Sequence, residues 1–287
     1  MTATRLEALM AGAEADGISF SGTVHSVFTR ACNIEVQRGR LLSLVARDAG
    51  AVPRGFTLAT PDGFDFAAHI EIARPAASRN GVLRIDGAPL AIDLRTARPW
   101  RSNLSSIGID LDDKDTALAW RAAWQALSRH GGSAAFAAIA AAPIRILVGA
   151  TQSGQIGDAR IAVSQLIGLG EGLTPAGDDF LVGYLAGLWS ASRAKSHDAV
   201  RDTIGGAIAA NAARTGTISR HYLEAAIAGE VSEPLARLSA AIGSGDTRQT
   251  ERAAAAALSV GATSGAAASH GLLLAAGALS SVTPPAV

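Results

Sequence analysis

The segment GLGEGLTPAGDDFL, residues 168–181, places two adjacent aspartates between a glycine-rich turn and one of the most apolar stretches of the chain. Proline is favoured in the first turn of a helix, because its missing N–H would have no partner there in any case. We therefore predict a helix with Thr174 as N-cap and Pro175 as its first residue. Gly170 and Gly172 allow the sharp turn that precedes it.

The predicted helix, AGDDFLVGYLAGLW, is apolar on nearly all of its faces. At about 100° per residue, Asp178 lies at the edge of one broad apolar face and Asp179 lies nearly opposite, among small uncharged residues. A helix without a polar face belongs in the interior of a protein. Whichever way this helix turns, at least one aspartate faces protein or an enclosed site.

Two interpretations of the aspartate pair remain open. Acids in the first turn of a helix interact favourably with its dipole, by about 0.3–1 kcal/mol, and a single exposed aspartate would suffice for that. Two carboxylates at a buried helix start need more, because burying a charge is costly: arginine partners, a metal or a donor group of a substrate. A metal needs more oxygen ligands than two aspartates provide, so we assign neither a metal nor a cofactor.

The chain changes character near residue 110. Before that point, short runs rich in Val, Ile, Phe and Thr alternate with Gly, Pro and Asp turns, and RIDGAPLAI is typical of a hairpin around Asp86 and Gly87. After Leu111 the pattern is almost entirely helical. We predict an α+β protein with a β-rich N-terminal domain, a barrel or sandwich, over residues 1–110. An α-helical bundle that carries the aspartate pair follows over residues 111–287.

Capping signals mark several helices of the second domain. Asp112 or Asp113 is expected to cap a helix that ends at Gly131, and Asp246 forms a capping box with Gln249. A further helix is expected over 158–169, and others are expected to start near His197, Ser219, Ser232 and Ser264. The abundance of Ala and Gly predicts that helix backbones approach each other closely.

Composition excludes several classes of protein. The chain of 287 residues has 25 basic and 25 acidic groups and no basic cluster, so nucleic acid is not an expected partner. A single cysteine, Cys32, permits no intrachain disulfide and is compatible with the cytoplasm. The first residues, MTATRLEALMAGAEADG, are typical of an alanine-rich helix rather than of a signal peptide. The uncharged stretch after Arg252 is expected to form a buried helix pair and not a membrane span.

Two other segments resemble the aspartate segment, because each places a glycine and hydroxyl residues at a predicted helix start. They are ARTGTISRHYLEAAIAGE, with Thr217 and Ser219, and VGATSGAAASHGLLL, with Thr263 and Ser264. Helix starts offer free N–H groups and a partial positive charge, so three that converge would bind a carboxylate or a phosphate. The alternative is ordinary capping, since Ser and Thr are common at helix starts. Charge at such a site could come from Arg214, Arg220 and His221.

The segment GLGEGLTPAGDDFLVGYLAGL closely resembles the hallmark motif of the family of AllH, a subunit of oxamate carbamoyltransferase. GTVHSVFTRACNIE, TGTISRHYLEAAIAGEVSE and GATSGAAASHG resemble three further segments of that family. The helix starts and the resemblance together give the candidate site. Its catalytic candidates are Asp178 and Asp179, and its substrate-binding candidates are Gly172, Thr174, Gly177, Thr217, Ser219, Arg220, Thr263, Ser264, Gly265, His25 and Asn33.

The resemblance implies a subunit of a multi-protein complex in purine or allantoin catabolism, with FdrA-like and AllG-like partners. The implied reaction exchanges oxalurate plus phosphate with oxamate plus carbamoyl phosphate, and an aspartate would orient or deprotonate an amide nitrogen. Two positions depart from the family pattern: Ala267 stands where an acid is expected, and Ala262 where His or Ser is usual. The alternative function is therefore a non-catalytic, structural or regulatory subunit with an acyl-CoA-synthetase-like partner.

Overall fold

The computed structural model describes residues 4–15, 19–132, 134–191, 195–280 and 282. The chain forms two compact units, Met1–Arg101 and Ser102–Val287. Strands make up the first and helices dominate the second, which confirms the predicted α+β class. The predicted domain boundary at residues 110 and 111 stays a prediction, because compactness alone does not show that a unit folds independently.

The first unit is a closed β-barrel rather than a sandwich. Its strands are β1 (Thr4–Ala11), β2 (Phe20–Val27), β3 (Ala31–Val36), β4 (Arg40–Ala46), β5 (Gly55–Leu58), β6 (Pro75–Arg79), β7 (Val82–Ile85) and β8 (Leu90–Asp93), with a short β9 (Arg98–Pro99). They pair in the order β5-β4-β3-β2-β6-β7-β8-β1, β5 also pairs with β1, and β9 pairs beside β1. The pairing of β5 with β1 closes the ring and leaves few free strand edges.

Alternation of side chains accounts for the barrel core. Residues such as Ile34, Leu44 and Leu83 are fully buried in one apolar cluster. The expected helix over the first residues is wrong. This segment forms β1, in which Leu6 and Ala8 point into the core while β5 and β8 satisfy the backbone on either side. Tertiary pairing overrides the helix propensity of alanine there.

A buried carboxylate joins two strands of the barrel. Asp93, at the end of β8, accepts hydrogen bonds from Arg5 at 2.8 Å and from Arg95 at 2.7 Å. The hydrogen bond from Arg95, then that from Arg5, holds the pKa of Asp93 well below its usual range. The predicted hairpin between β7 and β8, with Asp86 and Gly87 in its turn, is confirmed.

Ten α-helices lie in the described part of the second unit. They are α1 (Lys114–His130), α2 (Ala134–Ile139), α3 (Ala141–Ser153), α4 (Ile156–Leu166), α5 (Ala176–Ser190), α6 (Lys195–Asn211), α7 (Thr217–Ile227), α8 (Glu233–Gly243), α9 (Thr247–Leu258) and α10 (Ser264–Ala278). Asp113 caps α1 and Asp246 caps α9, each by accepting a backbone N–H three residues on, as predicted. No sequence signal predicted α2 or α3. The α4 helix ends about one turn before the predicted end at residue 169.

The α5 and α10 helices form the centre of this unit. A Cβ added at Gly183 would lie 1.8 Å from the carbonyl oxygen of Ala268, and one at Gly271 would lie 2.1 Å from that of Phe180. The backbones therefore touch, as the Ala and Gly content predicts. Of the expected buried pair after Arg252, α10 is buried on all sides, whereas α9 exposes one face. Among the described helices, none is both long enough and apolar enough to cross a membrane.

Candidate functional site

The helix that carries the aspartate pair begins one residue later than predicted. Pro175 is the N-cap of α5, with φ −51° and ψ 139°, and Ala176 is the first helical residue. The predicted capping role of Thr174 is therefore wrong, because the extended backbone at Pro175 moves the helix start away from it. The Thr174 hydroxyl is instead hydrogen-bonded to the Ser264 hydroxyl at 3.0 Å, and this contact joins the starts of α5 and α10.

Asp178 is bonded to two segments that precede helices. One carboxylate oxygen accepts the Gly168 N–H at 2.8 Å and the other accepts the Thr215 hydroxyl, while the residue is only 1% exposed. Gly168 has φ +74°, and a Cβ there would lie 3.0 Å from the carbonyl oxygen of Arg214, so glycine is required for this turn. Asp178 thus ties the turn before α5 to the segment before α7.

Asp179 has a different environment from its neighbour. The residue as a whole is partly exposed, but its Oδ2 atom is shielded from solvent and has no hydrogen-bond partner among the described residues. The pKa of this carboxyl is raised to about 7, mainly by burial and in part by the Asp178 charge, against the opposing effect of the Ser264 and Thr174 hydroxyls. The burial of the carboxylate oxygen, rather than the average exposure of the whole residue, determines this pKa, because the negative charge is on the oxygen.

The starts of α7 and α10 each contact the start of α5. Asp178 and Thr174 make the contacts just described, and a Cβ at Gly216 would lie 3.7 Å from the carbonyl oxygen of Leu173. None of the three N-cap residues, Pro175, Gly216 and Thr263, makes a side-chain capping bond. We call residues 174–179, 215–219 and 263–265 the helix-start cluster.

The α7 start offers the most donors in the helix-start cluster. The Arg220 N–H is bonded to the carbonyl oxygen of Gly216 at 3.0 Å, so the N–H groups of the three helical residues before it have no acceptor within the helix. At α5 the N–H groups of Gly177 and Asp178 are already used, by the carbonyl oxygens of Leu169 and Pro175. At α10 the N–H of Gly265 is used by the carbonyl oxygen of Val260. Gly172, Gly216 and Thr263 are exposed, so solutes can reach this region.

The remaining predicted residues of the second unit have mixed environments. A Cβ at Gly177 or at Gly265 would lie 2.0 Å from a carbonyl oxygen, so packing already accounts for both glycines. Ser219 is buried, and its hydroxyl has no partner in the part of the chain that the structure describes. Thr217 and Arg220 are half-buried. The ligand-binding role of each stays a prediction.

His25 and Asn33 lie in the barrel unit. The Asn33 amide donates to the Ser26 hydroxyl at 3.0 Å and accepts from the Ser43 hydroxyl at 2.7 Å, so both ends of its side chain are used by the fold. His25 lies where the β2–β3 register shifts, and its Nδ1 is 3.2 Å from the Ser26 hydroxyl. Bulges often redirect side chains near functional sites, but the substrate-binding role of both residues stays a prediction.

Sequence reasoning missed Gly168 and Thr215, the two partners of Asp178. Both residues lie within the quoted segments, but only their hydrogen bonds to Asp178 in the folded chain show their role. Arg214, which was expected to add charge, donates to the carbonyl oxygen of Ser164 at 2.6 Å. His270 packs edge-on between Trp124 and Phe180, each 5.6 Å away, and burial lowers its pKa to about 4.

Fold and geometry together define a class of protein: a closed β-barrel unit and a helical unit whose uncapped helix starts meet around two aspartates. The family model described as oxamate carbamoyltransferase subunit AllH matches residues 166–276, a span that includes the whole helix-start cluster. The model for the AllH family N-terminal domain matches residues 3–99. The chain therefore belongs to the AllH family. Searches of curated proteins and of solved structures gave no significant match.

Proposed function

We propose that this chain is a subunit of an oxamate-carbamoyltransferase-like complex and binds a small carboxylate or a carbamoyl-phosphate-type anion at the helix-start cluster. Family membership supports the first half of the proposal. The observation that carries the second half is the meeting of three helix starts whose N-caps make no side-chain capping bond. Because no side chain caps these helices, a bound anion could accept hydrogen bonds from their free N–H groups.

Physical chemistry connects this geometry to carbamoyl transfer. The reaction requires an anionic substrate to be held in position and a developing oxyanion to be stabilised. Each helix start carries roughly half a positive charge and presents N–H groups in fixed directions, so no side chain needs to reorganise. The Thr174 and Ser264 hydroxyls add donors beside the carboxyl of Asp179.

The complex would include FdrA-like and AllG-like subunits, the first of them similar to acyl-CoA synthetases. The family description names a subunit, which supports partners in general. We also propose a cytoplasmic location and no membrane or nucleic-acid partner, on the basis of cysteine usage and balanced charge. Oxalurate, carbamoyl phosphate and phosphate are the remaining reactants in this proposal.

A second candidate function is a non-catalytic, structural or regulatory subunit that completes a site on its acyl-CoA-synthetase-like partner. The observation that favours it is Ala267, an apolar residue that is 1% exposed in α10 where the family pattern has an acid. Reconstitution of the complex separates the two functions. A catalytic role predicts that site substitutions lower turnover, whereas a purely structural role predicts that they leave turnover unchanged once the complex has assembled.

Thr217→Pro tests the anion site directly. Thr217 is the first residue of α7, where proline is tolerated, and Gly216 before it has φ −68° and ψ 163°, which proline accepts in its neighbour. The substitution removes one N–H and leaves the helix intact. We expect the affinity for carbamoyl phosphate, measured by titration calorimetry on the full chain, to fall about tenfold or more, as for loss of one bond to a charged group.

Two control variants make this result specific. Thr217→Ala removes the same hydroxyl but keeps the N–H, so it separates the side chain from the backbone donor. Asp158→Asn changes an exposed acid in the first turn of α4, outside the helix-start cluster, and should leave binding unchanged. Equal affinities of the Pro and Ala variants would show that the Thr217 N–H does not bind the anion.

A further inference from the structure

We infer that the two aspartates have separate tasks: Asp179 selects a ligand that carries an amide N–H, and Asp178 is a positioning residue that holds the helix starts together. The inference rests on the proposed function, and it names the group on the anion that the site recognises. The ligand class is a small anion with a primary amide or carbamoyl group next to its charge. An anion of the same shape without the N–H would be rejected.

The contacts of Asp178 leave it little capacity to bind a ligand. Each of its oxygens already accepts a protein donor, from Gly168 or from Thr215. Those donors belong to the segments that lead into α5 and α7. Asp178 therefore sets the distance between two starts of the helix-start cluster, and it acts on a ligand only through them.

Asp179 has an acceptor that the protein does not use. Its Oδ2 is shielded and unpartnered, and the described residues provide no ion pair for it. A hydroxyl has only one proton to donate, and the Thr174–Ser264 bond uses one of the two that these residues possess. At most one hydroxyl proton is left for the carboxylate, which leaves an acceptor position open.

At a pH above about 7, where Asp179 is ionised, its open carboxylate is unfavourable beside an anion site unless the ligand brings a donor. The carboxylate and the negative group of a ligand repel each other at short range in a poorly solvated place. A ligand whose amide N–H reaches Asp179 replaces that repulsion with a charge-assisted hydrogen bond. The same ligand can still place its anionic oxygens on the N–H groups of the helix starts. Sites built to pair with a substrate N–H discriminate strongly against analogues that lack it.

Oxamate and oxalate provide the test, because they have nearly the same shape, but oxamate presents an amide NH2 where oxalate presents a second carboxylate with a second negative charge. Titration calorimetry on the full chain should show that the wild type binds oxamate at least about tenfold more tightly than oxalate. In Asp179→Asn, whose side chain offers a donor as well as an acceptor, this ratio should fall to within about threefold or invert. In Asp178→Asn, both affinities should fall together and the ratio should persist.

The controls keep the result interpretable. Asp158→Asn should leave both affinities unchanged, and far-UV circular dichroism should confirm that each variant is folded. If Asp179→Asn does not fold, Asp179→Ala is used, because alanine favours helix and also removes the acceptor. It should likewise lose the preference for oxamate.

Two failures are distinguishable. A wild type that binds none of oxamate, oxalate, carbamoyl phosphate and inorganic phosphate would refute the proposed anion site and this inference with it. A wild type that binds these anions, but whose oxamate-to-oxalate ratio is unchanged in Asp179→Asn or Asp179→Ala, would overturn the inference alone. A ratio lost in Asp178→Asn and kept in the Asp179 variants would reverse the two assignments and overturn it as well.

Discussion

Asp93 in the barrel unit and Asp179 in the helical unit are both carboxylates shielded from water, yet their surroundings are opposite. Asp93 accepts hydrogen bonds from Arg95 and Arg5, and these bonds lower its pKa, that from Arg95 most. Among the described residues, Asp179 has the hydroxyls of Ser264 and Thr174 as donors beside it and no cation, and its pKa is raised to about 7, chiefly by burial. A carboxylate paired with cations serves the fold, whereas an unpaired one at a solvent-accessible helix start costs stability and is a candidate for function.

Asp178 shows that burial alone does not make this distinction. It is adjacent to Asp179 in sequence and more deeply buried, but its two oxygens are satisfied by Gly168 and Thr215. It therefore resembles Asp93 in role, although its donors are neutral. The comparison predicts that the paired acids stabilise the protein and that the unpaired acid destabilises it.

The largest expected effect on stability is that of Asp178→Ala. The substitution leaves the Gly168 N–H and the Thr215 hydroxyl without their acceptor in a buried place, and each unmade bond costs about 1–3 kcal/mol. We expect the free energy of unfolding, measured with urea, to fall by about 2–5 kcal/mol. Asp158→Asn, at an exposed position, is the matched control, with an expected change below about 0.5 kcal/mol. A loss below about 1 kcal/mol in Asp178→Ala would mean that the hydrogen bonds of Asp178 to Gly168 and Thr215 do not stabilise the fold.

Asp179→Asn is expected to raise the free energy of unfolding, by less than Asp178→Ala lowers it. Burial raises the pKa of this acid from 3.8 to about 7. As pH rises from about 4 to about 7, the unfolded chain therefore loses its proton first and the folded state becomes less stable. Above about pH 7 both states are ionised and the loss is complete, at an upper limit of about 4 kcal/mol. The variant should lack this decline and should be more stable than the wild type near pH 8.

Asp93→Asn is the control with the reverse dependence. A lowered pKa gives stability that is present above the pKa of the unfolded chain and is lost as pH falls through that of the folded state. Asp93→Asn should therefore be less stable than the wild type at neutral pH, and the difference should shrink in acid. Both arginines are more than half exposed, so we expect this effect to be the smallest. If Asp93→Asn and Asp179→Asn changed the free energy of unfolding in the same direction at pH 8, the contrast between the two acids would be wrong.

Sequence patterns predicted the fold where local signals and packing agree. Capping residues such as Asp113 and Asp246 identified α1 and α9. They could not identify α3, whose N-cap is Ala140 and makes no side-chain capping bond. The barrel was not separable from a sandwich, because closure depends on the pairing of β1 with β5, which are distant in sequence. The first strand was mistaken for a helix for the same reason.

The residues of the candidate site could be predicted from the sequence, but the different environments of the two aspartates could not. The motif singled out both aspartates and the three helix starts, since glycine, hydroxyl and acidic residues recur there. Which aspartate is bonded depends on Gly168 and Thr215, which lie 10 and 37 residues from Asp178 and carry no distinguishing local signal. Long-range contacts of this kind emerge only from the folded chain.

A crystal structure of the full chain soaked with oxamate tests most directly whether the helix-start cluster binds an amide-bearing anion. We expect oxamate at the starts of α5, α7 and α10, with a carboxylate oxygen about 2.9 Å from a backbone nitrogen at the start of α7. We also expect the amide nitrogen at a similar distance from the Asp179 carboxylate. Oxamate bound elsewhere, or bound here with its carboxylate rather than its amide facing Asp179, would contradict the proposed site.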